Sequence, residues 1–268
     1  MANARPARFA ENLSLAAAES SGAVVSDSRR KSVMVDQHAL RATATERPLI
    51  DAGLRAYMLR VYNYMAGGLV LTGVVAYGAA ASGLYQALAG TVLLWVVLLA
   101  PLVLVMFMSF RIERMSLGAA QLTFWAYAGL VGLSLSGIFL IYTGASVARV
   151  FFIAAATFGA MSLYGYTTRS DLSRFGSFLF MGLIGIVVAS LVNMFLASSA
   201  LQFAISIIGV VVFVGLTAWD TQRIKEIYIE GEDAAVAGKK AIMGALALYL
   251  DFLNLFLLLM QLFGDRRR

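Results

Sequence analysis

Beyond residue 60 the chain consists of long, continuously apolar stretches separated by short polar connections. A helix that crosses a membrane needs about 20 mostly apolar residues. Because the apolar residues do not alternate with polar ones, the pattern favours helices over the strands of a barrel. The sequence therefore predicts an all-α integral membrane protein with seven transmembrane helices. The predicted spans are 61–81, 88–108, 118–142, 148–167, 175–196, 201–219 and 241–262.

The N-terminal part of the chain has a different character. It is rich in Ala, Ser and Arg and contains no apolar run of the length found in a secretory signal peptide. Low hydrophobicity and mixed charge are typical of a disordered segment. We predict a disordered cytoplasmic tail over residues 1–55 and a membrane domain over residues 56–268. A short amphipathic helix lying at the membrane interface, near Ala52–Arg60, is the alternative for the boundary.

The connections between the apolar stretches alternate in charge. Residues 82–87, 143–146 and 197–200 carry no charge, whereas basic side chains lie in the other three connections, which are 109–117, 168–174 and 220–240. Basic loops are retained on the cytoplasmic side, so these three and the N-terminus are predicted to be cytoplasmic. Seven spans then place the C-terminus outside, although it ends in Asp265 followed by three Arg. A re-entrant last segment, which would return the C-terminus to the inside, is the alternative.

Composition supports the membrane prediction and excludes several classes of function. Hydrophobic residues make up 60% of the chain and charged residues 13%, against about 25% charged in average soluble domains. The chain has no cysteine, which excludes disulfides, thiol catalysis and cysteine-based metal sites. The formal charge of +6 is spread over short loops, so the pattern argues against nucleic-acid binding. The lone His38 lies in the tail and is assigned no role.

Ionisable residues within the predicted spans are rare, and Asp251 is the clearest case. It lies about ten residues into the last span, and an Asp at a helix centre costs about 2.5–3.5 kcal/mol to insert. Such a residue is expected to face a partner or a water-filled cavity. Asn254 follows on the same helical face and is predicted to support it. The alternative is a protonated Asp251 that makes one structural hydrogen bond.

Two further charged residues lie at the ends of predicted spans. Asp220 ends the sixth span and Arg111 the second, and both lie at the predicted cytoplasmic ends. Asp220 has the alternative interpretation of a simply solvated residue. If the three charges meet, Asp220 and Asp251 cannot both ionise cheaply and will share a proton, while a nearby Arg favours the ionised form. The arrangement predicts a switch that follows cytoplasmic pH.

Ionised carboxylates also attract hard cations such as Ca²⁺. Two carboxylates fall short of the six to eight oxygen ligands that Ca²⁺ prefers, so a site formed by Asp220 and Asp251 would be weak and partly hydrated. Weak binding fits conduction or sensing better than storage. No other cofactor is expected.

Two segments carry a resemblance to a known family. The last span contains Ala-Leu-Tyr-Leu-Asp-Phe-Leu-Asn-Leu-Phe-Leu (residues 247–257), and the sixth ends in Trp-Asp-Thr-Gln-Arg-Ile-Lys (residues 219–225). Both resemble the signatures of the Bax inhibitor-1 family, also called the transmembrane Bax inhibitor motif family, in its bacterial branch. The resemblance covers about residues 55–264 and leaves the tail outside.

The resemblance implies a fold and a function. In the fold it implies, six helices surround a central seventh at the C-terminus. The function is a pH-sensitive calcium leak of the bacterial inner membrane, governed by two aspartates that Asp220 and Asp251 match. The family's gating arginine ends the second helix and corresponds to Arg111 or Arg114, with Glu113 interrupting the expected basic run.

Two other functions compete with the leak channel. Some bacterial relatives are linked to a membrane-anchored ATP-dependent protease, so a non-conducting regulator with such a partner is the first alternative, and the long tail suits a partner contact. The second is an intramembrane aspartyl protease of the presenilin kind, which requires Gly-x-Gly-Asp, whereas Tyr249 and Leu250 precede Asp251. No serine-hydrolase, zinc-protease or phosphate-loop motif is present either. The chain is therefore not expected to be an enzyme.

Overall fold

The structure, a computed structural model, describes residues 52–267. Seven helices in this range are long and apolar enough to cross a membrane, counting α3 with the 3-10 turn that follows it and α4 together with α5. The predicted all-α class with seven spans is confirmed. The helices are α1 (Ala52–Ala81), α2 (Leu84–Leu88), α3 (Val92–Arg111), α4 (Leu117–Leu135), α5 (Ile138–Ile141), α6 (Gly144–Thr167), α7 (Ser173–Leu196), α8 (Ser199–Glu226) and α9 (Ala234–Phe263).

Several helices extend beyond the apolar stretches that predicted them. α1 begins at Ala52 and runs without a break, so the amphipathic segment near Ala52–Arg60 is the beginning of this helix and not a separate interfacial one. α8 continues past Asp220 to Glu226, and α9 begins at Ala234 rather than residue 241. Hydropathy marks the part of a helix that lipid can cover. The backbone hydrogen bonds continue through polar residues until a cap ends them.

Side-chain caps fix where several helices begin. Asp233 accepts hydrogen bonds from the backbone N–H groups of Ala235 and Val236 at the start of α9, at 2.8 and 3.3 Å. Ser116, Thr143 and Ser198 cap α4, α6 and α8 in the same way. Such caps stabilise a helix by about 1 kcal/mol each. They explain why the connections between the long helices are short and well defined.

α9 is the most buried spanning helix in the described part of the chain. Its apolar stretch is 72% buried, against 6–39% for the other six spans. It packs against α4, α6 and α8. This burial agrees with a helix inside the bundle, and the more detailed expectation that six helices surround it stays a prediction.

Two buried hydrogen bonds join α1, α4 and α9. The Thr72 hydroxyl donates to the carbonyl oxygen of Ala128 at 2.9 Å, and its oxygen lies 2.6 Å from the Tyr249 hydroxyl. Because the Thr72 proton is used on α4, the Tyr249 hydroxyl donates to Thr72. The Tyr249 ring also packs edge-on against Phe124 and Tyr127. The contact fixes the middle of α9 against two neighbouring helices.

The C-terminal segment lies beside the uncharged connection between α5 and α6. The Arg267 N–H donates to the Ile141 carbonyl at 2.8 Å, and the Thr143 N–H donates to the Asp265 carbonyl at 3.0 Å. The Arg149 guanidinium pairs with the Asp265 carboxylate at 2.9 Å. Since α9 is continuous over 30 residues, the re-entrant alternative is wrong. The C-terminus lies at the same end of the bundle as the connection over residues 142–143.

Hydrogen bonds also hold together the connections that carry charged residues. These lie at one end of the helix bundle, which we call the charged end. Lys239 at the start of α9 donates to the Glu113 carbonyl at 3.0 Å. Gln222 near the end of α8 accepts from the Leu172 N–H and donates to the Ser170 carbonyl, both at 2.9 Å. These bonds place the α3–α4 connection beside the beginning of α9 and the α6–α7 connection beside the end of α8.

Candidate functional site

Asp251 lies in the middle of α9 and is almost completely enclosed. Its exposed fraction is 5%, and its Oδ2 atom has no hydrogen-bond partner among the described residues. Buried polar atoms are nearly always hydrogen-bonded, so an unpartnered carboxylate oxygen at this depth requires a physical explanation. The explanation lies on the neighbouring helix α8.

The carboxyl groups of Asp220 and Asp251 lie close to each other across the α8–α9 interface. Asp220 lies near the charged end of α8 and is half-buried. A carboxylate is only an acceptor, so a hydrogen bond between two carboxyl groups requires that one of them carries a proton. The two aspartates that the sequence singled out therefore lie near each other, on neighbouring helices.

Close helix packing holds α8 in position for this contact. A Cβ atom at Gly165 of α6 would collide with the backbone of Ala218, so glycine permits the two helices to touch at this level. At Gly244 of α9, a Cβ would lie 3.0 Å from the Ile224 side chain of α8. Small residues at such points let helix backbones approach closely. Asp220 lies between these two approaches along α8.

Neither arginine at the end of the second span reaches the aspartates. Arg111 and Arg114 are exposed, and within residues 52–267 neither makes a hydrogen bond or ion pair with Asp220 or Asp251. The interpretation of Arg111 or Arg114 as the gating residue therefore stays a prediction.

The basic group near Asp220 is Arg223, which follows it by one turn on the same helix. Its charge acts on the Asp220 carboxyl, and its guanidinium lies 5.3 Å from the centre of the Trp219 ring. Sequence reasoning did not single out Arg223. The signal was available in the i, i+3 spacing, which places the two side chains on neighbouring positions of one helix face.

Asn254 does not support Asp251 through a hydrogen bond in the described structure. Its amide nitrogen donates to the Leu250 carbonyl of its own helix at 2.8 Å. The expected pairing relied on the three-residue spacing alone. In a helix, an amide side chain can bond to the carbonyl one turn back instead, and here it does so.

Gln222 is a buried polar residue of the segment 219–225 whose role only the structure shows. It holds the α6–α7 connection onto α8 through the two bonds described above. In that connection the exposed Asp171 accepts hydrogen bonds from Ser173, which lower the pKa of the Asp171 carboxyl. The connection beside the aspartates is thus tightly held, and its own acidic group is ionised at neutral pH.

Metal-binding capacity at the site is limited. Between Ala52 and Arg267 no group of three or more His, Cys, Asp or Glu side chains is placed to hold a metal ion. A calcium ion at Asp220 and Asp251 would therefore have two protein carboxylates and would fill its remaining positions with other oxygens.

Comparison with known proteins gives consistent matches over the membrane domain. The family model described as inhibitor of apoptosis-promoting Bax1 matches residues 54–268. The inner membrane protein YbhL of Escherichia coli is 52% identical over 220 residues, which cover 81% of this chain and 94% of YbhL. The protein RP147 of Rickettsia prowazekii is 51% identical over 235 residues, covering 87% of this chain and all of RP147. A protein of Caulobacter vibrioides is 46% identical over 229 residues, covering 81% and 92%. The chain belongs to the Bax inhibitor-1 family.

Proposed function

We propose that the protein is a pH-sensitive, calcium-permeable leak channel of the bacterial inner membrane, in which Asp220 and Asp251 form the pH sensor. The observation that carries the proposal is that the two carboxyl groups lie close together at the α8–α9 interface, where Asp251 is almost completely enclosed and its Oδ2 has no partner among the described residues. We infer that the pair shares one proton through a hydrogen bond, which we call the one-proton contact. The inner-membrane location is taken from the name of the Escherichia coli relative. The cytoplasmic N-terminus follows from the basic charged end.

The state with the contact formed is assigned as the closed state. In it Asp251 is enclosed, so a cation has no access to its carboxylate. Loss of the shared proton leaves two negative charges facing each other. At a separation of 4 Å and an effective dielectric constant of about 20, such charges repel by about 4 kcal/mol. This energy is large enough to shift a helix–helix equilibrium of a few kcal/mol.

Ionisation has a second consequence for conduction. Two carboxylates within the membrane attract Ca²⁺ without the further ligands that would retain it. Weak binding that permits both entry and exit is what conduction requires. The proposed leak therefore rises with pH on the charged side of the membrane. It needs no cofactor beyond the transient cation, and no chemical reaction is assigned to the chain.

The test is calcium flux into proteoliposomes across pH 5 to 8, comparing the parent with Asp251→Asn. We expect parent flux to rise with pH and the variant to lose that dependence, because one carboxyl and its charge have been removed. Asp171→Asn is the matched control, since it removes an exposed acidic group at the charged end. Absence of flux above empty liposomes at every pH, or an unchanged pH response in Asp251→Asn, contradicts the proposal.

A non-conducting regulator of a membrane partner is the second candidate. The observation that favours it is that the family match begins at residue 54, so the preceding residues form an addition to the membrane domain. A membrane-anchored ATP-dependent protease is the partner proposed for it. Deleting residues 2–50 separates the two functions, because flux through the membrane domain should survive whereas a partner contact made by the tail should be lost.

A further inference from the structure

A cavity between α1 and α6, whose lining includes neither aspartate, opens toward the lipid-facing surface. Its volume is about 580 Å³, within the range of about 300–1,000 Å³ that is usual for ligand pockets. Leu59 and Leu163, which flank it, are 52% and 63% exposed on helices that cross the membrane. A molecule in the bilayer can therefore enter the cavity from the side.

The chemistry of the cavity is divided along its length. Arg55 lies at the charged end, and Met58 and Phe158 supply apolar wall further in. Behind the lining residue Tyr166, Lys225 places its ammonium group 5.7 Å from the ring centre and donates to the Tyr166 carbonyl at 2.8 Å. The cavity thus presents positive charge at one end and apolar surface along the rest.

The polar groups deeper in the cavity have already used their protons. The Thr221 hydroxyl donates to the Thr217 carbonyl at 2.7 Å. It must therefore accept from Ser162, whose oxygen lies 3.0 Å away, and Ser162 must accept from Tyr62 at 2.6 Å. This directed chain leaves no hydroxyl donor for a ligand in the interior. A polar solute would lose hydrogen bonds there, whereas a hydrocarbon chain would not.

We propose that this cavity binds one anionic phospholipid from the leaflet at the charged end of the bundle. The phosphate lies against Arg55, and an acyl chain runs along Met58 and Phe158 past the Tyr62 ring. Basic pockets between membrane helices on the cytoplasmic side are suited to acidic lipid head groups. The bound lipid contacts the hydroxyl chain that ends on α8 beside Asp220. Its binding is measured directly and does not depend on the proposed leak.

The test is native mass spectrometry of the full chain in detergent, titrated with phosphatidylglycerol or with phosphatidylcholine carrying the same acyl chains. We expect one phosphatidylglycerol to be retained in preference to phosphatidylcholine. Arg55→Gln should weaken retention of phosphatidylglycerol about fivefold, the scale of one basic group near an anionic lipid. Arg60→Gln is the control, because Arg60 is an exposed arginine on the same helix that does not line the cavity. Equal retention of the two lipids, or equal losses in the two variants, overturns the proposal.

A second pair of variants tests the apolar part of the cavity. A Cβ atom at Gly159, which lines the cavity, meets nothing within 4 Å, and the same is true at Gly185 on α7. Gly159→Leu should fill the cavity and reduce retention of phosphatidylglycerol, whereas Gly185→Leu should leave it unchanged. Retention that survives Gly159→Leu overturns the proposal. So does retention of phosphatidylglycerol that is absent in the full chain and appears only after deletion of residues 2–50, which would show that the chain's own N-terminal segment occupies the cavity.

Discussion

Asp220 of α8 and Asp251 of α9 bring their carboxyl groups close together across the interface of the two helices, and Asp251 is only 5% exposed. The two residues are 31 positions apart in the chain, and the connection over residues 227–233 folds their helices against each other. If the pair shares one proton, as proposed above, we expect the packing of α8 on α9 to depend on pH. The energetic consequences can be measured without any assay of transport.

Thermal stability should report the shared proton. The proposed one-proton contact would stabilise the α8–α9 packing at acid pH, when the proton is present, and this contribution would be lost as the pair ionises with rising pH. We therefore expect Asp220→Asn, measured by thermal melting in detergent at pH 5 and pH 8, to reduce the difference in melting temperature seen in the parent.

Asp171→Asn is the control for that measurement. Hydrogen bonds from Ser173 lower the pKa of the Asp171 carboxyl, so any contribution from this group is present above its ordinary pKa and is lost as the pH falls. Its sign is opposite to that of the aspartate pair. A parent protein that is equally stable at the two pH values would contradict the one-proton contact.

The basic residue that tunes the aspartates should be Arg223 in the closed state. Arg223 acts on Asp220 from one turn away, whereas Arg111 is exposed and makes no bond to the pair within the described residues. Removing a cation that favours ionisation should move the flux–pH curve toward alkaline pH in Arg223→Gln. Flux measured in Arg111→Gln should show a smaller shift, and a larger shift in Arg111→Gln would instead support the arginine at the end of α3.

The hydrogen bond between Thr72 and Tyr249 should stabilise the bundle measurably. Tyr249→Phe removes one buried hydroxyl and leaves Thr72 bonded to Ala128, so we expect a loss of about 1 kcal/mol in the free energy of unfolding. A double-mutant cycle with Thr72→Val isolates the pair. Tyr77→Phe is the control, because the Tyr77 side chain is 64% exposed. Equal effects of the two tyrosine substitutions would contradict this assignment.

Glycine at position 165 should be needed for the contact of α6 with α8. The added Cβ in Gly165→Ala collides with the Ala218 backbone, and overpacking of this kind typically costs about 1–3 kcal/mol. Gly185→Ala adds the same methyl group where nothing lies within 4 Å. Unfolding measurements on the two variants should therefore differ, and a Gly165→Ala protein as stable as the parent would show that the helices can separate without cost.

The position of the C-terminus can be tested by chemical labelling, because the chain contains no cysteine. Single substitutions Ala145→Cys, Arg266→Cys and Ser170→Cys each place a thiol at an exposed position. An impermeant maleimide added to sealed vesicles should label positions 145 and 266 from the same side and position 170 from the other. Labelling of position 266 together with position 170 would contradict the pairing of the C-terminal segment with residues 141–143.

The sequence determined the class of the protein and the identity of the unusual residues. Continuous apolar stretches of about 20 residues can satisfy their backbone in lipid only as helices, which is why seven spans were predictable. The cost of an Asp in hydrocarbon likewise singled out Asp251 without any structure. Residues 219–225 and 247–257 carried the family resemblance, which the match over residues 54–268 confirmed.

Tertiary structure decided what each polar group bonds to. Spacing along one helix paired Asn254 with Asp251, but the amide bonds to the Leu250 carbonyl instead. Hydropathy could not show that Arg223 rather than Arg111 lies near Asp220 in this state, nor that the C-terminus pairs with the α5–α6 connection. The burial of a helix depends on the summed apolar area of its own residues, so it can be predicted from one stretch of the sequence. A hydrogen bond depends on two atoms from distant parts of the chain reaching the same point, and only the packed helices fix that.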